Sequence, residues 1–105
     1  MKTDTLHHPV VRCAIVALQQ GDATSWAALF APDATLYDDG QPCDVRAFNR
    51  DAIGSERFTS IDRVENDGLA VYGQFHSSRW GTFRTYFKFH IDGEGRIARL
   101  DIGQA

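Results

Sequence analysis

From Gly81 to Ile91 the side chains alternate with a period of two. Phe83, Thr85, Phe87, Phe89 and Ile91 take one side, and Arg84, Tyr86, Lys88 and His90 take the other. Successive side chains along a strand point to opposite faces, so this stretch is a strand with one apolar and one polar face. The apolar face has to be covered, and that demand constrains the fold more than any other feature of the chain. The same period predicts strands over 58–64, 69–77 and 96–102. Asn66-Asp67-Gly68 and Asp92-Gly93-Glu94-Gly95 are hairpin-turn signals, and Ser78-Arg79-Trp80 is a weaker one. On the last strand Ala98, Leu100 and Ile102 oppose Arg99 and Asp101.

The cover lies upstream. Pro9 suits the first position of a helix, and Val10, Val11, Ala14, Ile15, Ala17 and Leu18 give that helix a broad apolar face. Gly21 is the expected left-handed cap. Asp22 is placed as the N-cap of a second helix over 23–31, with Trp26, Leu29 and Phe30 on one side. Asp44 caps a third, whose apolar positions are Val45, Phe48, Ala52 and Ile53. Three helices followed by an antiparallel meander make an α+β domain with the helices on one face of the sheet.

Length and composition allow a single domain, residues 9–105, after a flexible tail at 1–8. The chain has 105 residues, 43% hydrophobic and 24% charged, which is ordinary globular composition. The net charge of −3 comes from interspersed residues, with no basic stripe to mark nucleic-acid binding. No apolar run approaches the roughly 20 residues of a membrane span, and MKTDTLHHP lacks the apolar core of a secretory signal. A cytoplasmic location is therefore expected, with Cys13 and Cys43 reduced. Cys13, in an apolar helical stretch, is read as a core residue. The cysteines and histidines lack ligand spacing, so no metal and no cofactor is expected. His7-His8 is read as part of the tail.

Between helices two and three, LFAPDATLYDDG (29–40) reads as a helix end, a Pro-Asp turn, a short strand at 34–38 and an acidic exit. Ala34, Leu36 and Asp38 share one side of that strand. Asp38 is then a carboxylate closing an apolar row. Apolar surroundings raise a carboxylate's pKa and its strength as a base, which makes Asp38 the first catalytic candidate. The competing reading is a solvated turn, since Asp-Asp-Gly is common turn chemistry.

The order helix–helix–strand–helix–four strands, with Gly21-Asp22 between the first helices, PDAT (32–35) opening the strand and DGEGRI (92–97) before the last one, resembles the nuclear-transport-factor-2-like superfamily. Within it the chain is similar to the SnoaL-like and ketosteroid-isomerase-like branch, from about Pro9 to Ile102. The resemblance implies a curved antiparallel sheet, with the helices on its concave face forming a cone around a pocket, and a homodimer through the outer sheet face. Arg84, Tyr86, Lys88, His90, Arg99 and Asp101 would form that dimer face; the alternative is a solvated face.

For the pocket, the resemblance implies walls of Trp26, Phe30, Leu36, Phe83, Thr85, Phe87, Phe89 and Leu100 around a small apolar ligand. Simple core filling competes with that reading at every one of them. In the ketosteroid isomerases the first strand ends in a proton-moving aspartate, and Asp38 stands there. The oxyanion donors that those enzymes also need fall here on Ala14 and Phe87, which cannot donate, and losing such donors costs orders of magnitude in rate. Arg84 and Asp101 suggest the Asp–Arg–Asp set of the epoxide hydrolases, but the alternation sends both to the outer face. His76 is a second catalytic candidate if Tyr72, Gln74 and His76 face inward, as the family analogy has it. The pattern places Leu69, Val71, Gly73 and Phe75 inward instead, and that reading is preferred. Two functions remain open. One is an isomerase- or lyase-type enzyme with Asp38 as base; the other is a non-catalytic dimeric module for binding or assembly.

Overall fold

The computed structural model describes residues 6–105. Met1 to Thr5, the first part of the expected tail, lie outside the described residues. Leu6 and His8, from the rest of that stretch, are packed, while His7 is exposed. Leu6 is 2% exposed within the core, and His8 caps the first helix, its Nδ1 accepting the Val10 N–H at 3.2 Å.

Helix α1 (Pro9–Gln20) buries Val11, Ala14, Ile15, Ala17 and Leu18. Cys13 lies off this stripe and is exposed, which corrects its reading as a core residue. Gly21, at φ 68°, ends the helix. Its N–H donates to the Leu18 carbonyl, and the Asp22 N–H returns to Ala17. Only glycine takes that backbone conformation without strain. Helix α2 (Ala23–Ala28) buries Trp26 alone. It is shorter than the pattern suggests, because the chain is captured by the sheet from Leu29, whose carbonyl accepts the Ile97 N–H at 2.8 Å. Strand β1 therefore spans Phe30–Asp38, and a two-residue Asp39-Gly40 turn, both at positive φ, folds it onto β2 (Gln41–Cys43).

Helix α3 (Val45–Ala52) follows, with Asp44 accepting the N–H groups of Arg46 and Ala47. Strands β3 (Glu56–Glu65), β4 (Ala70–Ser77), β5 (Gly81–Ile91) and β6 (Ile97–Gln104) complete a six-stranded sheet of order β2-β1-β6-β5-β4-β3. Every neighbouring pair is antiparallel except β1 and β6, which run parallel, so the sheet is mixed and not wholly antiparallel. Turn signals reveal hairpin partners, but no local pattern announces a pairing between the first and last strands.

The helices pack on one face of an unclosed, curved sheet: an α+β cone. Two register shifts in β3, at Phe58/Ser60 and Ile61/Arg63, bend this edge strand over β4. At Gly73 the Ser60 carbonyl comes so close that a Cβ would collide with it, so glycine is required there. Gln19 ties the end of α1 to the same strand. Its side chain donates to the Phe58 carbonyl at 2.8 Å and accepts the Phe58 N–H at 2.7 Å, acting as a stand-in strand partner. Val71 and Phe75 of β4 are buried, while His76 is exposed, so the alternation decides that strand. Among the described residues no helix is long and apolar enough to cross a membrane.

Candidate functional site

Beneath α3 the concave face does not close. A cavity of about 860 Å³ opens there to solvent. Phe75 of β4, Phe83 and Phe87 of β5, Ile102 of β6 and Phe48 of α3 make its walls. Phe75 packs edge to face on Phe83 at 5.9 Å and stands tilted to Phe87 at 5.5 Å. The rim is strongly polar: Asp38, Asp39, Asp44, Asp51 and Glu56 border it, with Arg79 and Trp80 from the β4–β5 turn. Trp80 is 72% exposed.

Asp38 closes β1 on the inner side, two residues beyond the buried Leu36. The residue is exposed, but partial desolvation at the cavity edge, and behind it the charge of Asp39, holds its carboxyl above the ordinary range. Among the described residues it takes no hydrogen bond from the protein, so both oxygens remain free. Asp39 is committed: its N–H donates to the Ile102 carbonyl, and its Oδ1 accepts the Gln104 N–H at 3.1 Å. The acidic turn and the inward carboxylate are thus adjacent residues, Asp39 serving the turn and Asp38 the cavity.

Glu56 is the residue that sequence reasoning missed. It opens β3, opposite Ser77 of β4. The Ser77 hydroxyl is 1% exposed. It donates to Glu56 Oε2 at 2.9 Å and accepts the N–H groups of Arg79 and Trp80, each at 3.2 Å. Burial pushes the Glu56 carboxyl up against the opposing pull of Ser77; the charge of Asp38 pushes it further, and Arg79 draws it down. The signal was present. Extending the strand two residues before Phe58 puts Glu56 on the same face as that phenylalanine.

Of the expected pocket walls, Phe83, Thr85 and Phe87 do line the cavity. Thr85 is not free to orient a ligand, because its hydroxyl donates to the Gly103 carbonyl at 2.6 Å. Trp26, Phe30, Leu36, Phe89 and Leu100 are corrected: they lie in the buried core and do not border the cavity. His76 is corrected as well. It stands outside this cavity, beside a smaller cleft of about 230 Å³, with its Nδ1 3.2 Å from the Thr82 hydroxyl. Ala14 is buried, and Phe87 presents only a ring, so neither position supplies an oxyanion donor.

Arg84, Tyr86, Lys88, His90, Arg99 and Asp101 all lie on the outer face. Asp101 is bound by Arg99 at 3.0 Å and His90 at 2.9 Å. Partial burial raises its pKa, but these hydrogen bonds outweigh that effect and leave it below the ordinary range. Cations cover the tyrosine rings of this face: Arg99 stands 4.2 Å over Tyr37, Arg63 4.1 Å over Tyr72 and Lys88 4.9 Å from Tyr86.

No protein-family model matches the chain, and no curated protein matches it. Solved structures do. An NTF2-like protein of unknown function from Cytophaga hutchinsonii superposes with a TM-score of 0.75 at 15% identity, covering 100% of this chain and 95% of that one. A "putative polyketide cyclase" from Sinorhizobium meliloti gives 0.76 at 22% identity, covering 97% and 99%. The Orange Carotenoid Protein of Anabaena (Nostoc) sp. PCC 7120, solved binding canthaxanthin, gives 0.73 at 17% identity, over 91% of this chain and 35% of that one. The fold is nuclear-transport-factor-2-like. In this fold, the cavity described above sits between α3 and the concave sheet face, and its rim carboxylates come from β1 and β3.

Proposed function

We propose that the protein binds a compact apolar molecule bearing a carbonyl group and moves a proton on it, with Asp38 as the base. The observation that carries this reading is the free carboxyl of Asp38 at the edge of an aromatic cavity. Its volume is in the usual range for small-molecule sites, roughly 300–1,000 Å³. A base of raised pKa is a stronger proton acceptor than a solvated aspartate. Canthaxanthin and polyketides, named with two of the similar structures, are carbonyl compounds with large apolar bodies, which supports the same ligand class.

A thermal-shift screen against small apolar carbonyl compounds tests this, run beside Asp38→Asn. A ligand raises the melting temperature by its preference for the native state. The expected result is a hit whose shift is weakened in Asp38→Asn, and whose turnover is lost there while folding is kept. A hit indifferent to the substitution supports the second reading, a binding module without catalysis. That reading is favoured by the lack of a donor at Ala14 and Phe87, and it includes a homodimer through the outer face. The outer face carries both signs of charge, Asp101 beside Arg99 and His90 with Arg84 and Lys88 nearby, which a two-fold axis can pair, and this favours it as the contact. Arg84→Glu and Lys88→Glu are expected to shift the protein towards monomer in sedimentation experiments. A dimer that survives both changes rules out this face.

A further inference from the structure

The carboxyl group left over at the site is that of Glu56. Its strand, β3, and that of Asp38, β1, lie on opposite sides of the sheet, separated by β6, β5 and β4. The curl of the sheet brings both onto one cavity, near enough for the charge of Asp38 to act on Glu56. Glu56 is also held in place. Arg79 and Trp80 donate their N–H groups to the Ser77 oxygen, so the Ser77 proton turns towards Oε2 of Glu56. Oε1 remains to carry a proton of its own.

We propose that Glu56 is the acid of this site, donating from Oε1 to the substrate's carbonyl oxygen while Asp38 takes the proton from the neighbouring carbon. This rests on the proton-transfer reading of Asp38 given above, and it supplies the donor that Ala14 and Phe87 do not. The balance closes without a co-reactant. The C–H electron pair becomes the new C=C bond, the carbonyl π pair moves to oxygen, and that oxygen is stabilised by the Glu56 proton. The reverse step returns the proton from Asp38 to the same or a conjugated carbon, and Glu56 regains its own. Ser77 acts through Glu56 as a positioning residue.

Charged groups reach Glu56 from several elements. Asp38 and Asp51 border the same cavity, Arg79 comes from the β4–β5 turn, and Arg57 and His76 border the smaller cleft on its other side. Burial raises both carboxyls, but Asp38 adds to the shift of Glu56, while Asp38 itself is raised by Asp39. The proposed acid role requires Asp38 to ionise before Glu56, an order that a titration reads directly.

Two measurements test the proposal. The first is a carboxyl-detected NMR titration of the ligand-free protein. Glu56 is expected to titrate above Asp38 and to fall towards the ordinary range in Asp38→Asn. A Glu56 that ionises before Asp38 overturns the proposal, with no substrate needed. The second is deuterium exchange at the carbons next to the carbonyl of cyclohexanone in D2O. The expected rate against pH is a bell, falling on the alkaline side as Glu56 loses its proton. Glu56→Ala should lower the rate by about 10²-fold. Glu56→Gln, which keeps a donor that does not titrate, should lose less and lose the alkaline limb, a signature that a purely structural role would not give. Exchange abolished by Asp38→Asn but unchanged in Glu56→Ala overturns the role of Glu56 and leaves Asp38 as base. No exchange in the unmodified protein overturns the base reading itself.

Discussion

The two ends of the concave sheet face are built from the same residue types and end up in opposite states. Away from α3, Trp26 of α2 and Phe30, Leu36, Phe89 and Leu100 of the sheet are buried in a filled core. At the other end, Phe48 of α3 and Phe83 of the sheet, with the inner edges of the buried Phe75 and Phe87, border a space that stays open. What differs is the cover. Helix α1 has 12 residues and buries five of them, whereas α3 has eight and buries only Ala52. A short helix with a narrow apolar stripe leaves the sheet beneath it uncapped. The carboxylates then gather at that end, where solvent makes their charge affordable.

The largest effect is expected at the closed end. Trp26→Ala empties a fully buried site and should cost about 3–5 kcal/mol in urea unfolding. Trp26→Phe should cost far less, because the indole N–H it removes has no partner among the described residues. Next comes the strut between the ends. Gln19→Ala leaves the N–H and carbonyl of Phe58 without their partners, and a loss of about 1–3 kcal/mol is expected. At the open end, Phe83→Ala removes a half-buried ring that already faces a void. It should cost roughly 1 kcal/mol or less while changing which ligands shift the melting temperature. A Phe83→Ala penalty as large as that of Trp26→Ala would erase the distinction between the ends.

The smallest effect is a pH dependence of opposite sign on the two faces. Asp38 and Glu56 have raised pKa values in the folded protein, so the native state holds more protons than the unfolded one between the ordinary and the raised values. Stability therefore falls as pH rises through that window. Asp38→Asn and Glu56→Gln should each raise the melting temperature at neutral pH, and the gain should vanish in acid. Asp101 behaves the other way. Its pKa is lowered, so its contribution is present above the ordinary carboxylate value and is lost as pH falls through the folded one. Melting curves of Asp101→Asn across the same range should show a deficit at neutral pH that closes in acid.

The sheet was legible because its period is two and its hairpins carry Gly-rich turns; β5 begins and ends where the alternation does. The outer face followed from the same rule, including the exclusion of Arg84 and Asp101 from the cavity. The site was legible only in part. Asp38 could be found because it ends an apolar row. Glu56 was hidden because it precedes the first obvious strand residue, and its meaning depends on Ser77, some twenty positions away. The split between filled and open aromatic space was not legible at all. Phe87 and Phe89 sit two residues apart on one face of one strand, and one borders the cavity while the other does not. Only the placement of the helices separates them.

The parallel pairing of β1 with β6 has a consequence for how the chain comes off the ribosome. Strand β6 lies between β1 and β5, yet it is made after both. Until residues 97–104 have emerged, β1 has only the three-residue β2 beside it and β5 has one bare edge. Unpaired edges backed by apolar faces invite association with other chains. Between the completion of β5 at Ile91 and the emergence of β6, the nascent chain has its helices and its β3–β4–β5 meander but lacks the strand that joins β1 to them. Strand β6 is the piece on which the continuity of the sheet depends.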